Sequence, residues 1–156
     1  MHSTVKDFIE YSGISELLPN IPTAFKEINV QESVRIPNTK ANIEQIAKVI
    51  ADVVITNTVV ITTPVGTSLE GQVLTGWKVV IEGELRETVE YISDELTQPV
   101  HAVNFNVPFG SCIILPQSFI CGAKVTVNAY IEDIFLKKLD NRSFFKNICL
   151  LLVAEF

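Results

Sequence analysis

From Phe25 onward the chain alternates apolar and polar residues with a period of two, the repeat of strands whose successive side chains face opposite ways. Ile28, Val30, Val34 and Ile36 share one parity, interrupted by Glu32, and Pro37 closes the run. Residues 42–51 fit two patterns. Ile43, Ile46, Ala47 and Ile50 lie at helical spacing, whereas Val49, Ala51, Val53 and Ile55 alternate and continue through Val59 and Ile61. The combination predicts a short helical turn over 42–47 and then a strand to about Thr63, followed by a loop bracketed by Pro64-Val65-Gly66 and Gly71. The clearest alternation runs from Trp77 to Tyr91. Trp77, Val79, Ile81, Leu85, Val89 and Tyr91 form one face, and Lys78, Val80, Glu82, Glu84, Arg86, Thr88 and Glu90 lie on the other. One buried and one wet face is the mark of an antiparallel sheet. Gly83 interrupts the strand as a bulge or as a close approach of neighbouring backbone. Further strands are predicted over 100–109 and 125–136, the latter passing a bulge at Glu132-Asp133. Residues 144–154 are nearly all apolar and read as a central strand covered on both faces.

Residues 1–24 follow a different rule. Val5, Phe8 and Ile9, then Ile14, Leu17 and Leu18, recur at helical spacing, with Ser3 or Thr4 available as an N-cap and Pro19 and Pro22 as stops. The expectation is an amphipathic N-terminal arm of two short helices separated at Gly13. It either covers the core of its own domain or docks on a neighbouring subunit. The predicted fold is all-β: an antiparallel β-sandwich of about six to eight strands over 25–156, with a short N-terminal helical extension over 1–24.

Composition supports strands. Val, Ile and Thr supply 49 of the 156 residues, and these stiff, β-branched side chains fit pleated surfaces. With 47% hydrophobic residues, intrinsic disorder is excluded. Twelve Lys+Arg against 18 Asp+Glu give a net charge of −6, so no basic stripe exists to displace counterions from nucleic-acid phosphates. No apolar run approaches the ~20 residues of a spanning helix, and Met1 to Glu10 lacks the pattern of a secretory leader. The charged share, 19%, is low against the roughly 25% of ordinary soluble domains, and it fits a surface with neighbours to meet.

Catalytic chemistry finds little material. Of two histidines, His2 lies at the terminus and His101 opens a strand, where a structural role is expected. No nucleophile elbow and no phosphate-binding loop occur. The acidic residues at 82, 84, 87, 90, 94 and 95 cluster in sequence, and Glu82, Glu84 and Glu90 share an outward face with Lys78 and Arg86, as on a solvated sheet. Asp140-Asn141-Arg142 reads as a turn between strands. Cys112, Cys121 and Cys149 match no zinc-ligand spacing, which leaves small buried hydrophobes or, in an oxidising environment, candidate intermolecular disulfides. No catalytic residue, metal or cofactor is expected.

Several segments taken in order resemble the SPOCS domain family, a β-rich module of spore-forming anaerobic bacteria. They are Phe25–Val30 with Ile36-Pro37, Ile43–Ile46, Val53–Thr56, Ile81–Leu85 with Val89-Glu-Tyr91, Gln98–His101 running into Phe105–Phe109, Tyr130–Asp133 and Leu139–Arg142. Ser143 stands where the family usually has threonine or valine, and Gly110 where it often has a charged or small residue. The resemblance covers about residues 25–156. It implies a non-enzymatic structural protein of the spore envelope, in coat, exosporium or appendage, made in the mother-cell cytoplasm and deposited on the spore surface. Its partners are then further copies of itself or other spore-coat proteins. The alternative is an adaptor that recruits another coat protein through one sheet face. For self-assembly, the candidate docking residues are Val5, Phe8, Ile9, Ile14, Leu17 and Leu18 of the arm. Candidate residues for strand addition are Phe25, Ile28, Val30, Val34 and Ile36, because an extended segment can pair its backbone with an open sheet edge.

Overall fold

The computed structural model describes residues 2–156. They form eight strands: β1 (His2–Lys6), β2 (Ile9–Ile14), β3 (Phe25–Arg35), β4 (Ile43–Thr67), β5 (Val73–Ser93), β6 (Val100–Ile114), β7 (Thr126–Lys138) and β8 (Ser143–Glu155). Five of them make one sheet in the order β1-β2-β4-β5-β6, and three make a second in the order β3-β8-β7. All pairings are antiparallel except that of β2 with β4, which is parallel and spans only Glu10–Ser12 against Lys48–Ile50. The two sheets pack face to face as a β-sandwich, with Leu85 and Val89 of the larger sheet in one core cluster with Ile134, Ile148 and Leu150 of the smaller.

No N-terminal helical extension is present among the described residues; β1 and β2 form a hairpin instead. Asp7 and Phe8 connect them with φ of 50° and 66°, the doubly left-handed geometry that matches the twist of two-residue hairpins. Apolar spacing in so short a segment leaves helix and strand open, and pairing with the edge of β4 decides for the strand. Gly13 allows the contact. A Cβ there would lie 2.0 Å from the Ala51 carbonyl oxygen, and its φ of 113° favours glycine independently.

The predicted helical turn over 42–47 is likewise strand. Register shifts at Ile43/Gln45 and Ile46/Lys48 insert extra residues into β4, so Ile43, Ile46 and Val49 all face the core although they are three apart. Two successive bulges thus imitate helical periodicity. β4 also runs past the expected loop, taking up Pro64 at another shift before a turn over 68–72. The bulge at Ile131/Asp133 in β7 lies where the sequence placed it. At Gly83 the close neighbour is a side chain: an added Cβ would stand 2.3 Å from the Phe109 ring. The bulge there belongs to the partner strand β4, between Ile55 and Asn57.

Strand β8 is central in its sheet, as its composition suggests. Leu150 to Ala154 are buried on both faces, but Ser143 to Cys149 alternate, and the inward position 146 is a lysine. Its ammonium donates to Glu87 Oε2 at 2.6 Å and lies 2.9 Å from Glu32 Oε1. The side chains of Lys146 and Glu87 retain 3% and 2% exposure, whereas Glu32 reaches solvent. Glu87 comes from β5 and Lys146 from β8, so the pair ties one sheet to the other. The Phe105 ring, cross-strand from Glu87, packs 4.5 Å below the ammonium and edge-on against Phe144. Glu87 shares the parity of Trp77 and Tyr91, and that misplaced charge is its only sequence signal.

Burial pushes the Glu87 carboxyl above the usual carboxylate range, against the opposing hydrogen bond and charge of Lys146. Lys146→Ala, which leaves that carboxyl unpaired, is expected to cost about 3–5 kcal/mol in urea unfolding at neutral pH. The double change Glu87→Leu with Lys146→Met is expected to be neutral or stabilising, since Glu32 keeps its solvent. A carboxyl whose pKa is higher folded than unfolded stabilises below its unfolded pKa and loses that contribution as pH rises through the folded one. The Lys146→Ala deficit should therefore shrink as pH falls from about 8 toward 5; a deficit independent of pH would rule out Glu87 as its source.

Candidate interaction site

The segment Phe25–Arg35 is paired along its whole length with β8, from Phe25 opposite Val153 to Arg35 opposite Ser143. Ile28, Val30 and Val34 pack half-buried on the core, Ile36 is buried just past the strand, and Phe25 is exposed. The inward side chains therefore serve this chain's own core, and what β3 leaves open is the backbone of its outer edge. That edge lies beside the outer edge of β6, and Lys26, Ile28, Val30, Phe109 and Cys112 line the cleft between them.

The arm is anchored at several points. Tyr11 of β2 is buried, its hydroxyl donating to the Leu136 carbonyl at 3.3 Å and accepting from the Leu136 N–H at 3.2 Å. Burial raises the Tyr11 phenol above its ordinary value, more than the Leu136 contact and Lys6 lower it. Ile9 and Ile14 pack against the core, whereas Val5, Phe8, Leu17 and Leu18 face solvent, Phe8 and Leu17 with 86% and 85% of their surface exposed. Lys6 pairs with Asp133, and Ser15 N–H donates to the Ile131 carbonyl at 2.9 Å, so the chain leaves β4 and crosses to β7.

The three cysteines are free and occupy separate places. Cys112 lines the β3/β6 cleft. Cys149, on the outer face of β8, donates to Asn29 Oδ1 at 2.9 Å; burial, followed by the carboxylates of Asp133 and Glu132, raises its pKa and keeps it a thiol. Cys121 is exposed in the loop after Phe119, beside exposed Ile120. His101 stacks on Tyr91 and lies 3.1 Å from Glu95, with no thiol among its partners. Among the described residues no group of three His, Cys, Asp or Glu side chains is placed to hold a metal ion, and no helix is long and apolar enough to cross a membrane.

The turn Asp140-Asn141-Arg142 joins β7 to β8 and does more than reverse the chain. Arg142 sends Nη1 to the Lys40 carbonyl at 2.6 Å and to Asn42 Oδ1 at 3.2 Å, and Nη2 to the Pro37 carbonyl at 2.7 Å. The Ile36 and Ile43 N–H groups donate to the carbonyls of Arg142 and Asn141, and Tyr91 donates to the Ala41 carbonyl at 2.7 Å. The 36–43 connection is thus stitched to both sheets through residues of three segments that carry the SPOCS resemblance. Asp140 accepts the Arg142 N–H at 2.7 Å, which holds its carboxyl below the usual range. Arg142→Ala removes charge-assisted bonds to the Lys40 and Pro37 carbonyls, of which the second keeps only the Lys40 N–H, and is expected to lower stability by about 2–3 kcal/mol. Arg142→Lys should recover less than half, because an ammonium cannot fork to both carbonyls. Thermal unfolding and amide exchange over 36–43 measure both effects.

The profile of the family described as SipL, SPOCS domain matches residues 42–139, from the start of β4 to just past the end of β7. Neither curated proteins nor solved structures give a match. The match spans well over half of the chain, and the protein belongs to the SipL SPOCS domain family.

Proposed function

We propose that this sporulation-related protein is a non-enzymatic structural component of the spore envelope that assembles by exchanging its N-terminal arm between subunits. The observation that carries this reading is the shortness of the strand pairing that joins the arm to its own sheet. β2 meets β4 over three residue pairs, and the linker that follows exposes Leu17 and Ile21 to solvent. Exchange of an identical element between protomers costs little, because the pairing and packing that the arm gives up in its own chain are remade on the next. If the exchange is head-to-tail it need not close, and it then grows into a fibre or layer. Deposition on the spore surface after synthesis in the mother-cell cytoplasm fits membership of a sporulation family. A non-enzymatic role fits the engagement of His101 with Tyr91 and Glu95 and the protonated state of Cys149.

Negative-stain electron microscopy of the full chain and of a chain lacking residues 1–24 tests the reading. Regular fibres or sheets that vanish on truncation are the expected result. A monodisperse small species from both chains at high concentration overturns it and favours the adaptor. Exposure singles out Cys121 as the thiol that reaches a neighbour once the assembly meets air. A non-reducing gel should show a ladder that Cys121→Ser removes and Cys149→Ser leaves intact.

A further inference from the structure

Strand β4 is longer than anything that covers it. Its inner neighbour β5 accompanies it from Ile43 to Thr67, but on its other side β2 pairs only with Lys48–Ile50. Beyond Ala51 no other strand is paired with that side among the described residues. Between the bulge after Ile55 and the shift at Pro64 lies a regular stretch, Asn57-Thr58-Val59-Val60-Ile61-Thr62, in which five of six residues are β-branched. No Lys, Arg, Asp or Glu occurs anywhere from Val53 to Leu69. A short, uncharged, β-branched segment on an open edge, free of proline and glycine, is a template for another strand.

The remaining edges carry the devices that discourage such pairing. β1 is five residues long and ends at Lys6, β3 has Lys26 and Arg35, β7 has Glu132 and Asp133 at its bulge, and β6 is interrupted by Pro108, which has no N–H to offer. β6 carries no Lys, Arg, Asp or Glu either, but only the β4 stretch joins an open, uncharged edge to an almost unbroken β-branched run, and this selects its occupant. An antiparallel partner identical to itself brings no like charges together, whereas a copy's β3 or β7 would bury formal charges against valine and isoleucine. Val59 and Ile61, 48% and 39% exposed on the outer face, would then lie beside apolar side chains of the same kind.

We propose that residues 57–62 of β4 pair antiparallel with the same residues of a second copy about a two-fold axis, joining two five-stranded sheets into one. This contact is closed and isologous, and it is separate from arm exchange, which leaves β4 uncovered past Ile50. Dimers formed through β4 are units that the arms can link.

Sedimentation velocity of the 17.3 kDa chain over about 1–100 µM, together with electron microscopy, tests the proposal. With a twofold axis at Val59 or at Val60, Val59→Lys with Ile61→Lys sets lysine opposite lysine, so dimerisation should weaken at least about tenfold. Val59→Thr with Ile61→Thr, and Leu96→Lys on an exposed loop, should dimerise as the parent does. In the parent, amide exchange over 57–62 should slow as concentration rises, a readout that needs no variant. A parent that stays monomeric, or a dimer that survives both lysines, overturns the proposal. Fibres that persist in the lysine variant leave arm-driven assembly standing without this contact. Dimers that never grow further leave the contact standing and overturn the envelope reading.

Discussion

Lys146 and Glu87 come from different sheets, and their charges can be sheltered together only when both sheets already stand in register. Each is buried, so Glu87 alone would carry a large desolvation cost with no cation to offset it, and Lys146 alone would keep only the solvent-exposed Glu32. A slip of β8 by one residue turns Lys146 outward and puts Phe145 and Asn147 toward the core. The pair therefore selects one register of β8 against both of its neighbours. Phe105 fills the space beneath the ammonium, so the polar bridge is sealed by an aromatic ring rather than by water. Apolar residues of similar volume would hold the sheets together as well and would also resist the slip through their alternation; the charged pair adds the cost of separating two buried charges.

A second group of contacts fixes the end of the sandwich where connections cross between sheets. Arg142, Tyr91 and the backbone of 141–142 share out the polar groups of 36–43, supplying donors to the Pro37, Lys40 and Ala41 carbonyls and acceptors to the Ile36 and Ile43 N–H groups. Ile36-Pro37, Tyr91 and Asp140-Asn141-Arg142 meet here, Tyr91 from within the residues 42–139 that match the family. What they share is structural. They place a connection between sheets.

At the opposite side the sandwich is left incomplete. Its smaller sheet has three strands against five, and β4 reaches well beyond the short parallel strand β2 that covers its beginning. A neutral run, Val53 to Leu69, lies along this edge. A poorly charged strand edge differs from an oversized core: it offers backbone hydrogen bonds with a direction and therefore a geometry for association.

By itself the sequence determined the all-β class, most of the strands from β3 to β8, the bulge in β7 and the family, because alternation with period two and an ordered set of turns are local properties. The inward parity of Glu87 was also legible, though not what it would meet. Tertiary structure decided the rest. It made strands of residues 2–14 and 43–47, where apolar spacing is ambiguous and backbone pairing with β4 and β5 outweighs intrinsic preference. It placed Lys146 against Glu87 across 59 positions of chain, and it left one side of β4 bare. Partners in a sheet are chosen by the whole chain competing for each edge, and no local window of sequence contains that competition.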